Sequence, residues 1–386
     1  MSLKIYLDNA ATTQIDKRVL EAMLPIYNEN FGNASSLHQF GTNVKERIHN
    51  SREQIANLLK CEAEEIIFTS SGTESNNFAL KGIAFANRAK GNHIIVSSIE
   101  HDCILNACKW LETQGFFVTY LPVDSKGLVD VDYLKRCINP KTILVSVMHV
   151  NNEIGTIQPI SEIGKICKEQ NVYFHSDACQ SFGKIPVDVQ NIDLLTINSH
   201  KIYGSKGVGA LMVKKGTIIN PLLHGGGQEF GLRSSTQNTE GIIGFAKATE
   251  LCYAEMQSES VRIAELQKRL IAKLQDNIEG VYFNGDLGNR LPHNINFCIS
   301  GLEGEAIRLL LLLDEQGIAV SSGSACSSNG DNPASHVLQA IGLNQFEARG
   351  SIRISLGRYN TLNDVDIFYE SLKDSIKKLK SIFTTV

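Results

Sequence analysis

The sequence predicts an α/β protein in two parts: a large unit on a mostly parallel, seven-stranded sheet, and a smaller α+β unit. Three observations carry this. Short apolar runs alternate with helical patterns from about residue 65 to residue 213, the pattern of a parallel sheet with helical crossovers. A long helical period at 241–278 then separates that stretch from a region where strands and helices mix. Finally, 386 residues exceed one typical domain and suit two. The boundaries expected are 16–260 for the large unit, and 1–15 with 261–386 for the small one.

In chain order, residues 5–7 read as a short strand that runs into the polar turn Asp8-Asn9-Ala10-Ala11-Thr12-Thr13. Helical patterns follow at 16–28 and 41–59, the second with Val44, Ile48, Ile55 and Leu58 toward a core. Residues 65–69 form a strand, and Ser70-Ser71-Gly72-Thr73-Glu74-Ser75-Asn76 turns into a helix reaching about Asn87. Thr73 is placed to cap that helix, and Gly72 lets the backbone come close to a ligand. Free amides at such a terminus bind phosphate well, although an ordinary capped helix gives the same pattern and this is neither a P-loop nor GxGxxG. Further strands are expected at 93–97, 116–120, 143–148, 172–175, 193–197 and 208–213, with helices at 102–114, 130–137 and 160–170. Ligands of such sheets gather at the carboxyl ends of the strands. The polar residues there are Glu100-His101, Asn151-Asn152-Glu153, Asp177 with Gln180, and Lys201. Residues 223–238 are glycine-rich and too polar for a core, 281–320 and 351–356 mix strands with helices, and 365–383 is helical.

A formal net charge of −4 supplies no basic field for nucleic acid or anionic lipid, so neither partner is expected. The longest apolar run, Leu309 to Leu313, falls far short of the roughly 20 residues that cross a bilayer, and no signal-like core opens the chain. A cytoplasmic protein is expected. Nine cysteines, scattered without a CxxC pair, argue against a disulfide framework and against a zinc site. Most read as buried apolar thiols. Cys326 differs, standing within eleven small or polar residues, 321–331, that cannot pack a core and predict a mobile loop with a reactive thiol.

The site residues suit one chemistry. Lys201, at a strand end beside Ser199 and His200, can form a Schiff base with an aldehyde cofactor. Pyridoxal 5'-phosphate needs such a lysine, a carboxylate for its ring nitrogen, a donor for its phenolate and a phosphate cup. Asp177 answers the second need and Gln180 the third, while Gly72, Thr73, Ser199 and His200 answer the last. Each has a bland alternative, Asp177 as a helix cap above all, but their order along the chain is hard to obtain by chance.

On these residues nearly the whole chain resembles the cysteine desulfurases of the NifS/IscS type, class V members of the fold-type I pyridoxal phosphate enzymes. The matching motifs are Tyr6 to Thr13, Thr69 to Asn77, Glu100-His101, His149 to Gly155, Asp177 to Gln180, Ser199-His200-Lys201-Ile202-Tyr203-Gly204, Ser322 to Cys326, and Ser351 to Arg358. The resemblance implies that His101 stacks on the ring and serves as acid or base, and that Lys201 shuttles protons. It implies that Asn152 and Arg353 meet the substrate, Arg353 as a forked clamp on its carboxylate. Thr236 is implied to reach the phosphate site of a second subunit, hence a homodimer. Cys326 is implied to take sulfur from L-cysteine as a persulfide, releasing alanine, and to pass it to an acceptor protein for iron-sulfur cluster assembly or another thiolation pathway. The chain ends at Val386 without the longer tail of IscS-like members, which puts scaffold docking in question. A selenocysteine lyase or a small-amino-acid aminotransferase of the same class is the alternative, and a cysteine-presenting binding protein is the rival without catalysis.

Overall fold

The computed structural model describes residues 4–322 and 334–384. Cys326 and what was expected of its loop lie outside the described residues.

The chain opens with strand β1 (Ile5–Tyr6) and helices α1 (Lys17–Asn28) and α2 (Gln39–Leu59). The alternating stretch follows: β2 (Ile66–Thr69), α3 (Gly72–Ala86), β3 (His93–Ser97), α4 (Asp102–Thr113), β4 (Phe117–Leu121), α5 (Val131–Cys137), β5 (Thr142–Ser146), α6 (Ile160–Glu169), β6 (Tyr173–Asp177), β7 (Leu194–Asn198) and β8 (Gly209–Val213). Helix α7 (Thr239–Asn277) leads to β9 (Val281–Phe283), β10 (Asn294–Ile299), α8 (Ala306–Asp314), β11 (Ile318–Ala319) and β12 (Ser321–Ser322). The chain closes with α9 (His336–Ala340), α10 (Gln345–Arg349), β13 (Ile352–Ser355) and α11 (Leu362–Thr384).

Seven strands form the large sheet in the order β2-β8-β7-β6-β5-β3-β4. It is parallel from β7 to β4, and only β8 runs against its neighbours. β3, β5, β7 and β8 are buried throughout, as strands covered on both faces must be. Alternate side chains feed two cores. Ile95, Val145 and Phe174 pack with α1, α2, α6 and the first half of α7, while Ile94, Val96 and Leu144 pack with α3 and α4. The second half of α7 leaves this core and presents Ile263, Leu266, Leu270 and Leu274 to a third, shared with α8, α11 and the antiparallel sheet β12-β13-β10-β9.

The two ends of the chain meet at the seam. β1 pairs in parallel with β11, and Asp8 bridges to Ser355. Residues 8–13 thereby run from the small sheet to the loop of Lys201, where Thr13 N donates to His200 O at 2.9 Å. The predicted elements are present with ends shifted by a few residues. β5 stops two residues early because Met148 N is taken by the buried carboxylate oxygen Glu100 Oε1 at 2.6 Å. Two assignments are corrected: Leu59, and not the half-buried Leu58, reaches the core from α2, and α3 is capped by Ser71, whose Oγ accepts from Glu74 N at 3.2 Å, and not by Thr73, which stands inside the first turn.

Candidate active site

At the carboxyl ends of the parallel strands lies a cavity of about 230 Å³. Its wall brings together nine of the predicted residues: Gly72, Thr73, His101, Asn152, Asp177, Gln180, His200, Lys201 and Arg353. Ser199 is fully buried and stands behind this wall. Thr236 is exposed and lines a separate small cleft with Ser70 and Asn238.

Each side chain is placed by its element. Asp177 is the last residue of β6, and its carboxylate accepts from Cys179 N at 2.8 Å and from Asn76 Nδ2 at 2.7 Å. Burial pushes this carboxyl up, but those hydrogen bonds and the nearby Lys201 charge outweigh it and hold Asp177 below the usual carboxylate range. It is an anion kept ionised in a buried place. Gln180 Nε2 donates to Ala10 O at 3.0 Å, tying the wall to the N-terminal segment. His200 Nδ1 lies 3.2 Å from Thr12 Oγ1, and burial with the charges of Lys201, Lys206 and Lys184 depresses its imidazole to about 4.

Lys201 sits just after β7, on a loop held tightly from outside. Tyr203, in the left-handed region at φ 66, receives Thr13 Oγ1 as acceptor for its N–H at 2.8 Å, and its hydroxyl accepts from Arg358 N at 2.7 Å. The Arg358 guanidinium lies 4.4 Å from the Tyr203 ring centroid. Arg353, on β13, is 2 % exposed. One terminal nitrogen donates to Asp8 Oδ1 at 2.9 Å and the other to Asn152 O at 3.1 Å. Its Nε has no partner among the described residues.

Several wall residues were not singled out from the sequence: Ser71, Asn76, Cys103, Cys179 and Asn198. Asn76 lies one turn inside α3 and Cys103 in the first turn of α4, and only their spacing from Gly72 and His101 hints that they face the same way. Asp8 was placed in a turn, with no sign that it pairs with Arg353.

The sequence pattern of the family described as Aminotransferase class-V matches residues 5–368. A protein of Dictyoglomus turgidum called Cysteine desulfurase IscS is 52 % identical over 384 residues, covering 99 % of this chain and 97 % of that one. Among solved structures, one titled NIFS-LIKE PROTEIN superposes with a TM-score of 0.91 at 38 % identity, covering 97 % of this chain and all of the other. Another, titled SspA in complex with cysteine, gives 0.82 at 39 % identity, covering 93 % of this chain and all of the other. The chain belongs to the class V aminotransferase family. Its fold is that of the NifS-like pyridoxal phosphate enzymes.

The residues present fit that cofactor. Four buried polar atoms on or just behind the wall lack a partner among the described residues: Asn76 Oδ1, Asn198 Oδ1, Ser199 Oγ and Arg353 Nε. Such orphans are costly unless a polar ligand meets them. The ionised Asp177 suits a protonated ring nitrogen, and the first turn of the 15-residue helix α3 suits a phosphate.

Proposed function

We infer that the protein is a cysteine desulfurase, which removes sulfur from L-cysteine to give L-alanine and delivers the sulfur by way of Cys326. The observation that carries this reading is Arg353, a buried guanidinium whose Nε has no partner among the described residues, lining one cavity with Lys201 and Asp177. A carboxylate clamp within one cavity of a cofactor lysine selects an amino acid as substrate.

When bound, pyridoxal phosphate supplies an electron sink for bonds around the substrate's Cα and Cβ. Lys201 Nζ would hold it and, when free, would carry protons. Asp177 would keep the ring nitrogen charged, Gln180 would donate to the phenolate, and Gly72, Thr73, Ser199 and His200 would hold the phosphate. His101 would pack against the ring. Arg353 orients the substrate with Asn152 beside it. The Cys326 thiolate attacks the substrate sulfur; an S–S bond forms as the Cβ–S bond breaks, and the persulfide passes to an acceptor protein for iron-sulfur or other thiolation chemistry.

A homodimer belongs to the same reading. Leu20, Leu24 and Tyr27 on α1, with Leu37 and Phe40, are large apolar side chains left exposed, and Phe230 stands out on the segment that carries Thr236. A second copy covering them would bring its Thr236 to this phosphate site. The division at 16–260 is supported by separate cores. Free thiols at the eight described cysteines support a reducing, cytoplasmic setting. No helix among the described residues is long and apolar enough to cross a membrane.

The test is the visible absorption of the purified protein before and after L-cysteine with dithiothreitol, with sulfide and alanine assayed in the same tube. A yellow protein yielding equal sulfide and alanine is expected, and Cys326→Ala should lose alanine formation. A yellow protein without sulfide would point instead to a selenocysteine lyase or an aminotransferase.

A further inference from the structure

Cys103 lines the cavity, yet the reading above gives it no part. It lies in the first turn of α4, whose N-cap is His101. The cap is made by the imidazole itself: Cys103 N donates to His101 Nδ1 at 3.2 Å. A backbone N–H can only donate, so Nδ1 must present its lone pair, and the proton of the neutral ring resides on Nε2.

The thiol adds a second constraint. Cys103 Sγ lies 3.1 Å from His101 Nδ1 and accepts from Asn76 Nδ2 at 3.2 Å. With Asn76 donating to sulfur, the S–H is free to point at Nδ1. The other hydrogen of the Asn76 amide goes to Asp177 Oδ2 at 2.7 Å. One chain of donors thus runs from Asn76 both ways, to the carboxylate at the end of β6 and through Cys103 to the imidazole of His101.

We propose that Cys103 is a positioning residue that locks His101 as the neutral tautomer protonated at Nε2, so that His101 donates a hydrogen bond and packs in the site but does not serve as a general base. The assignment rests on the cysteine desulfurase reading and deepens it: proton movement is left to Lys201. A base needs a free lone pair, and Nδ1, the nitrogen that has one, is occupied by two donors. The surrounding charges agree. Burial and then Lys201 disfavour the imidazolium, as does His336 on α9, and together they outweigh Asp177 on β6 and Asp102 on α4, leaving His101 below its ordinary value. Burial pushes the Cys103 thiol up to about 12, so it is a donor and not a thiolate.

The experiment is nitrogen NMR of protein labelled with 15N-histidine, with and without pyridoxal phosphate, from pH 6 to 8.5 for the tautomer and on down to pH 4 for the protonation midpoint, the His101 signals being identified by their loss in His101→Gln. The expected result is an unprotonated Nδ1 and a protonated Nε2 across the range. In Cys103→Ala the midpoint for protonating His101 should rise by roughly half a pH unit or more, the worth of one lost neutral hydrogen bond. Cys103→Ser, whose hydroxyl can donate and accept alike, should restore the parent midpoint. A ring protonated at Nδ1 near neutral pH, or a midpoint unmoved by Cys103→Ala, would overturn the assignment. These signals are read whether or not cysteine is turned over, so a protein that releases no sulfide would count against the proposed function and leave the tautomer assignment to stand or fall on its own result.

Discussion

Arg353 is held by two acceptors, Asp8 Oδ1 and Asn152 O, while its Nε meets no partner among the described residues. A planar fork is what this place uses, and a lysine would offer a point charge instead. Arg353→Lys is expected to raise the KM for L-cysteine about tenfold or more while leaving the visible absorption of the bound cofactor in place; an unchanged KM would remove Arg353 from the clamp. Glu100 offers a different check. It is fully buried, and burial pushes its carboxyl well above the usual range, against the hydrogen bond from Met148 N. A carboxyl whose folded value lies above its unfolded one contributes stability that is complete below pH about 4.3 and is lost as pH rises. Glu100→Gln removes that loss, so its Tm relative to the parent should climb by about 2 °C or more between pH 5 and pH 8. Much of the site was legible because Lys201, Asp177 and Arg353 are charged residues within or at the ends of apolar runs. Asn76 and Cys103 were not, since each looks like any polar residue on a helix until the crossing of α3 and α4 aims both at one point.

The first turn of α3 is the element on which phosphate binding depends. An added Cβ at Gly72 would stand 2.7 Å from Cys179 Sγ, closer than real contacts allow. Gly72→Ala should therefore weaken pyridoxal phosphate binding, seen as a lower plateau of visible absorption at a fixed cofactor concentration. Pairing it with Cys179→Ala, which clears the space, should recover part of the loss; no recovery would mean that the backbone, and not the contact, is at fault. The strands of the large sheet were legible because each is an apolar run between breakers, and both of their faces are buried. The cap of α3 was misplaced for a plain reason: Ser71 and Thr73 are both good caps two residues apart, and φ/ψ alone decides between them. Nor does the sequence announce that Glu229 and Phe230 adopt left-handed backbone at φ 49 and 59. That turn is held by a distant partner, Arg52, whose guanidinium pairs with Glu229 Oε2 at 2.7 Å.

For the molecule as a whole, α7 decides how the parts behave together. Its 39 residues span about 58 Å at 1.5 Å per residue, and its two halves belong to different cores. Arg358 adds a tie across the seam, bonding Glu255 on α7 at 2.7 Å as well as Asp16 at the start of α1. Thermal unfolding should accordingly show a single transition, coincident by calorimetry, far-ultraviolet circular dichroism and cofactor absorption; two resolved transitions would show that the small sheet melts alone. The seam also orders events at the ribosome. Lys201, Asp177 and the first turn of α3 are complete once the large sheet has emerged, but Ala10 and Arg353 share a cavity only after β13 has been translated and has come back to the first strand. The residues proposed to hold the phosphate cofactor are thus all translated before Arg353, and the clamp for the amino acid is the last part of the cavity wall that the ribosome supplies.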